Sequence, residues 1–188
     1  MDPAVSAHCS YSACMPTQPP LAFDPIERAG KLWEQHWPGE PDDVYSSMRA
    51  VTSIMRAHQI LIADLDAMLR PYGITFSRYE ALVLLMYSRN GSLPLSKIGE
   101  RLQVHATSVT NVIDRLEAAG LVRREPNPLD GRGTLAVLTD QGRDVATAAT
   151  ADLNAARFGM AALDGDQLRE VFDLLRRLRL VAGDYSDD

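Results

Sequence analysis

Residues 94–139 read PLSKIGERLQVHATSVTNVIDRLEAAGLVRREPNPLDGRGTLAVLT. Leu95, Ile98 and Leu102 share one face of a short helical pattern, and Val109, Ile113 and Leu116 share the face of a second. Only Gln103-Val104-His105 separates the two, and Gly120 supplies a C-terminal stop. This spacing predicts helices over residues 95–102 and 106–119 joined by a tight turn, a helix-turn-helix. The period then changes. Residues 121–125 and 134–138 read as strands, joined by a loop that holds Pro126, Pro128, Gly131 and Gly133. The expectation is a β-hairpin with a long tip directly behind the second helix.

With Val109, Ile113 and Leu116 turned inward, Thr107, Ser108, Thr110, Asn111, Asp114 and Arg115 are left outward. Short polar side chains near a helix N-terminus fit closely into a major groove, where they meet base edges and phosphates. Free N–H groups at that end also favour phosphate. Ser96, at the start of the preceding helix, joins this DNA-facing set. Taken alone, the face equally fits a solvated helix in an ordinary bundle. The hairpin adds Arg132 at a glycine-flexed tip, with Arg123 and Arg124 on its first strand. An arginine at such a tip can enter a minor groove while its neighbours hold backbone phosphates. Asp130 would steady an arginine there by a charge-assisted bond. The competing reading is an exposed hairpin with an ordinary salt bridge.

Outward from this region the pattern is helical. Asp24-Pro25 reads as an N-cap and a first-turn proline, followed by Ile26, Ala29, Trp33 and Trp37 along one face and a stop at Pro38-Gly39. A longer helix is predicted over 44–69, with Val51, Ile54, Met55, His58, Ile62, Leu65 and Leu69 on a stripe. The next helix, capped by Thr75 or Ser77, carries Tyr79, Leu82, Val83 and Met86 and ends before Asn90-Gly91. After the hairpin, Thr139 caps a helix over 141–160 with Val145, Ala149, Leu153 and Ala156 on one side, and Gly159 is its weak point. A last helix over 166–181 places Leu168, Val171, Phe172, Leu175 and Leu178 on a stripe. The fold class is mainly α with a small β-hairpin wing.

The bulk composition permits this reading. The chain has 188 residues, enough for one well-cored domain, and a net charge of -6. Residues 94–143 hold 7 Lys or Arg against 6 Asp or Glu, so the acidic excess lies elsewhere. DNA binding needs a local basic face rather than a basic chain. No apolar run approaches the roughly 18 residues of a membrane span, and no basic segment leads into a hydrophobic one at the start. A cytoplasmic location with no membrane partner is the expectation. Cys9 and Cys14 are the only cysteines, within residues 1–20. Inert thiols, a disulfide, and a redox or metal role with His8 stay open for them. His8, His36, His58 and His105 lack metal-ligand spacing, and no phosphate loop or nucleophile motif is present. Neither a metal, a cofactor nor an enzymatic activity is expected.

The run from Thr107 through Pro126, followed by Pro128-Leu-Asp-Gly-Arg-Gly-Thr-Leu-Ala-Val-Leu-Thr-Asp-Gln-Gly-Arg143, resembles the MarR family of bacterial transcriptional regulators. Arg78-Tyr-Glu-Ala-Leu-Val-Leu-Leu and Leu95-Ser-Lys-Ile-Gly-Glu-Arg-Leu fit the same pattern upstream. The resemblance implies a homodimer of winged helix-turn-helix lobes on a palindromic double-stranded DNA operator. It implies a recognition helix starting near Ala106 and a wing-tip arginine at Arg132. It also implies relief of binding by a small aromatic or phenolic ligand. Gly131 stands where the family usually has the first of two adjacent wing arginines. The extra tryptophan-bearing helix resembles the urate-responsive branch, with Trp33 and Glu80 as its markers, but Val112 occupies the position of that branch's recognition-helix arginine. The implied organisation is a flexible tail at 1–23, an extra helix at 24–38 and a dimerisation helix at 44–75. The DNA-binding lobe follows at 76–139, and further dimerisation helices at 140–183. Trp33, His36, Trp37, Arg56, His58, Tyr79 and Met86 are the ligand-pocket candidates, since aromatic bodies with a few polar groups suit an amphipathic ligand. The plainer readings make Trp33 and Trp37 anchors of a short helix and His58 a core histidine. A non-catalytic protein-interaction dimer is the alternative from another class.

Overall fold

In the computed structural model, the structure describes residues 20–128, 130 and 133–186. The readings for Cys9, Cys14, His8 and Arg132 therefore fall outside the described residues. The chain divides into two compact units, Met1–Phe76 and Ser77–Asp188.

The first unit is built on two helices. Helix α1 (Pro25–His36) starts as its sequence dictates: Asp24 Oδ1 accepts from the Ile26 N–H at 2.8 Å, and Pro25 occupies the first turn. It packs on α2 (Asp42–Leu69), but not by the face expected. Gly30 is buried and Ile26 and Glu34 are half-buried, whereas Ala29, Trp33 and Trp37 stay exposed. The reason lies on α2. Arg49 lies across Gly30, where an added Cβ would meet its Nε at 2.3 Å. Its Nη2 reaches Glu34 Oε1 at 2.5 Å, and Nε lies 3.6 Å from Glu27 Oε2. An arginine flanked by two glutamates occupies the seam that an apolar stripe was expected to fill. Tyr45 adds a second tie, donating to the Trp37 carbonyl at 2.8 Å and accepting from the Glu40 N–H at 3.1 Å. Along α2, Leu65 and Leu69 are buried as the stripe requires, but Val51, Ile54, Met55, His58 and Ile62 are exposed. His58 is therefore not a core histidine within this chain. A one-turn 3₁₀ segment (Arg70–Tyr72) closes at Gly73, whose φ of 69° needs glycine. Asp66 Oδ1 then accepts from the Phe76 N–H at 2.7 Å.

The second unit holds the helix-turn-helix. Its elements are α3 (Phe76–Tyr87), β1 (Ser92–Pro94), α4 (Leu95–Leu102), α5 (Ala106–Ala118), β2 (Val122–Pro126), β3 (Thr134–Leu138), α6 (Asp140–Ala155) and α7 (Gly165–Val181). The hairpin strands pair antiparallel, with Arg124 opposite Ala136. Strand β1 was not expected. It pairs with the other edge of β3, Leu93 opposite Ala136, so the sheet order is β1-β3-β2. Ala81, Leu82, Leu85, Ile98, Ile113, Leu116, Ala136, Ala146, Ala149 and Leu153 are fully buried and form the core. Helix α5 ends in a Schellman motif, with Gly120 N–H to the Glu117 carbonyl at 2.9 Å and Leu121 N–H to Leu116 at 2.9 Å. Thr139 Oγ1 caps α6 by accepting from the Gly142 N–H and donates to the Gly120 carbonyl. Helix α6 stops five residues before the expected 160, because Arg157 and Phe158 adopt φ near +50° ahead of Gly159. None of the residues of α7 is buried.

Candidate nucleic-acid interface

Helices α4 and α5 meet across Gln103, whose backbone is left-handed at φ 54°. Gly99 makes the close approach possible: a Cβ there would lie 3.2 Å from Val109 Cγ2. His105 starts α5 as its N-cap, its Nδ1 accepting from the Thr107 N–H at 3.3 Å. Val109, Ile113 and Leu116 are buried, which turns the opposite face of α5 to solvent. That face forms an open depression of about 750 Å³ lined by Thr107, Thr110, Asn111, Asp114 and Arg115 with Ala106 and Ala118. The outward set is thus brought together, except that Ser108 is exposed away from the depression. Thr110 donates to the Ala106 carbonyl at 3.1 Å, which leaves its hydroxyl oxygen to act as an acceptor. Ser96 is exposed in the first turn of α4.

The two strand arginines differ. Arg123 is exposed, and its Nε donates to Glu125 Oε1 at 2.7 Å. Arg124 turns back onto α5: Nη2 donates to Asp114 Oδ1 at 2.6 Å and Nη1 to Glu117 Oε2. Its backbone N–H donates to Glu117 Oε1 at 3.1 Å. Burial works against this charge, but hydrogen bonds to Glu117 and Asp114 outweigh it and raise the guanidinium's pKa above its ordinary value. Sequence reasoning had Asp114 merely outward and missed Glu117. Their i, i+3 spacing one turn from the helix end was the available signal. At the wing, the Asp130 N–H donates to the Asn127 carbonyl at 3.2 Å, and its own carbonyl accepts from Gly133 at 2.8 Å. Arg132 lies outside the described residues.

The ligand-pocket candidates fall in different units. In the first, Trp33 and Trp37 stack at 4.5 Å between ring centroids, tilted by 37°, and both are exposed. His36 Nδ1 lies 2.9 Å from the Leu32 carbonyl, and Arg56 Nη1 donates to Gln59 Oε1 at 3.2 Å. In the second, Tyr79 is buried with its hydroxyl 3.0 Å from Thr150 Oγ1, and Met86 is half-buried. Among the described residues, no group of three or more His, Cys, Asp or Glu is placed to hold a metal ion. No helix among them is long and apolar enough to cross a membrane.

A helix-turn-helix followed by a sheet whose hairpin projects beside the second helix defines the winged helix-turn-helix proteins. Residues 76–134 match the MarR family model. The chain is 58% identical to the MarR family transcriptional regulator Sco5413 of Streptomyces coelicolor, with a TM-score of 0.70 over 76% of this chain and 99% of that one. It is 30% identical over 126 residues to an HTH-type transcriptional repressor of Mycobacterium bovis, covering 66% of this chain and 89% of the repressor. This chain belongs to the MarR family of transcriptional regulators, which are not enzymes. A second Streptomyces coelicolor regulator, Sco3205, solved in complex with DNA, is 26% identical with a TM-score of 0.65 over 71% of this chain and 88% of that one. The chain spans 65% of the length of the HTH-type transcriptional regulator MhqR of Bacillus subtilis, to which it is 28% identical over 96 residues.

Proposed function

We propose that this protein is a sequence-specific regulator that binds a palindromic operator in duplex DNA as a homodimer and represses transcription. The observation that carries the reading is the exposed polar face of α5, where Thr107, Thr110, Asn111 and Arg115 converge on one open depression. Helix α5 enters the major groove, Arg123 and Ser96 contact phosphates, and Arg132 reaches the adjacent minor groove with Asp130 beside it. The DNA-bound state of Sco3205 supports the partner, and the repressor of Mycobacterium bovis supports the direction of control. Residues 76–139 act as the DNA-binding lobe, and 44–75 with 140–183 as dimerisation helices, since α7 buries none of its residues within one chain. Sequencing the fragments captured by the purified protein from sheared genomic DNA tests this. A two-fold palindrome is expected, and fragments with no shared motif would overturn it.

The same reading includes relief of repression by a small aromatic or apolar ligand. Its support is the exposed Trp33–Trp37 pair on α1, an aromatic surface larger than a solvated helix needs. The urate-responsive form of this idea rests on Trp33 and Glu80 and lacks an arginine at Val112. A ligand that lowers operator affinity must bind the DNA-free protein more tightly, by linkage. Calorimetry of phenolic acids with and without operator separates the outcomes, and equal affinity in both would end this part of the reading.

A further inference from the structure

We propose that Arg124 is a positioning residue and not a DNA ligand: with Asp114 and Glu117 it braces the first wing strand against the recognition helix. The proposal rests on the DNA-binding reading above for its consequence, though the brace itself exists in the free protein.

Three bonds join one strand residue to two carboxylates of α5. They are Arg124 Nη2 to Asp114 Oδ1 at 2.6 Å, Nη1 to Glu117 Oε2, and the Arg124 backbone N–H to Glu117 Oε1 at 3.1 Å. Asp114 and Glu117 are three residues apart, so they stand on one side of the helix, one turn from its end. An arginine that holds phosphate needs its donors turned to solvent. Here both terminal nitrogens are taken by carboxylates, and the side chain is 25% exposed against 56% for its neighbour Arg123. Charge agrees with geometry. Two bare carboxylates on the DNA-facing helix would repel phosphate, and Asp114 lines the same depression as Asn111 and Arg115. Arg124 screens them while fixing the root of the wing. A helix in one groove and a wing in the next bind together only if the joint between them is held, and the brace is that joint.

Two readouts on Arg124→Gln test this, with Arg123→Gln as the comparison. In the free protein, amide hydrogen exchange of Val122–Pro126 should quicken several-fold in Arg124→Gln and in the Asp114→Asn/Glu117→Gln double variant, and stay unchanged in Arg123→Gln. On the selected operator duplex, Arg124→Gln should lose roughly tenfold in affinity, the scale of a small ion-pair network. Its slope of log K against log salt should match the wild type, whereas losing a phosphate contact lowers that slope by about 1. Unchanged exchange in both brace variants overturns the proposal, and so does a slope reduced by about 1 in Arg124→Gln. If the wild type binds no duplex, the DNA reading fails, while the exchange measurement still decides the brace.

Discussion

A Cβ placed on Gly142 would lie 2.0 Å from the Leu121 carbonyl oxygen and 2.9 Å from Leu138 Cδ1. Neither neighbour can retreat freely, because the Leu121 carbonyl accepts from the Thr139 N–H at 3.2 Å and Thr139 itself is tied to Gly120 and Gly142. Helix propensity alone favours alanine over glycine by about 1 kcal/mol. Overpacking against fixed backbone costs about 1–3 kcal/mol and decides the sign. Gly142→Ala should therefore lower Tm by several degrees in a thermal melt, and an unchanged or higher Tm would contradict the close approach. Glu80 poses an electrostatic question on α3. Its side chain is exposed, yet the partial desolvation it meets against the helix holds its carboxyl above the ordinary glutamate value. A raised folded-state pKa means that its favourable contribution is fully present below the unfolded value and is lost as pH rises through the folded one. Glu80→Gln, uncharged at every pH, should melt higher than wild type at pH 7. The difference should close as pH falls below the ordinary glutamate range. A melt series from pH 4 to 7 that shows no such convergence would count against desolvation at Glu80.

Helix α5 and the wing are elements whose roles separate by mutation. Asn111→Ala removes a side chain from the open face and leaves the buried Val109, Ile113 and Leu116 untouched. It should reduce the ratio of operator to random-DNA affinity by about 1–3 kcal/mol if that side chain reads a base. Arg132→Ala should weaken binding most on A·T-rich flanks, where a narrow minor groove attracts arginine. Competition titrations with operator and random duplexes check both, and an unaltered ratio in the first case would move the reading surface elsewhere. Much of this element pattern was legible in the sequence because it is local. Apolar spacing found both helices of the motif, and the caps at Asp24 and Thr139 announced their helices. Strand β1 carried no such signal: it has three residues, ends in proline, and exists through pairing with β3 more than forty residues later. The docking face of α1 was misread because an arginine from α2, not an apolar side chain, fills the space over Gly30. The ion pairs of Arg124 were hidden in the sequence for a related reason. Strand sequence shows an exposed basic residue, and only the turn through Gly120 brings Asp114 and Glu117 back to meet it.

At the scale of the molecule, the stripes on α2 and α7 were visible in the sequence, but what covers them was not. Phe172, Leu174, Leu175, Leu178 and Val181 of α7 are exposed, as are Val51, Ile54, Met55 and Ile62 of α2. An isolated 17-residue helix is marginal in water, and an exposed apolar stripe such as that of α7, taken by itself, marks an interface. Assembly of two copies would supply what one chain lacks, and two recognition helices could then meet half-sites about one helical turn of duplex apart, roughly 34 Å. Phe172→Glu with Leu178→Glu places two charges on the α7 stripe, at positions with no buried contacts in the single chain. Sedimentation equilibrium should show a dimer for the wild type and a shift toward monomer for this variant, with far-UV circular dichroism reporting any loss of α7. Operator affinity should fall much more than affinity for random DNA, since only the operator depends on two half-sites engaging together. A variant that stays dimeric, or a wild type that is monomeric at micromolar concentration and still binds a palindrome with full affinity, would show that α7 is not the joining surface.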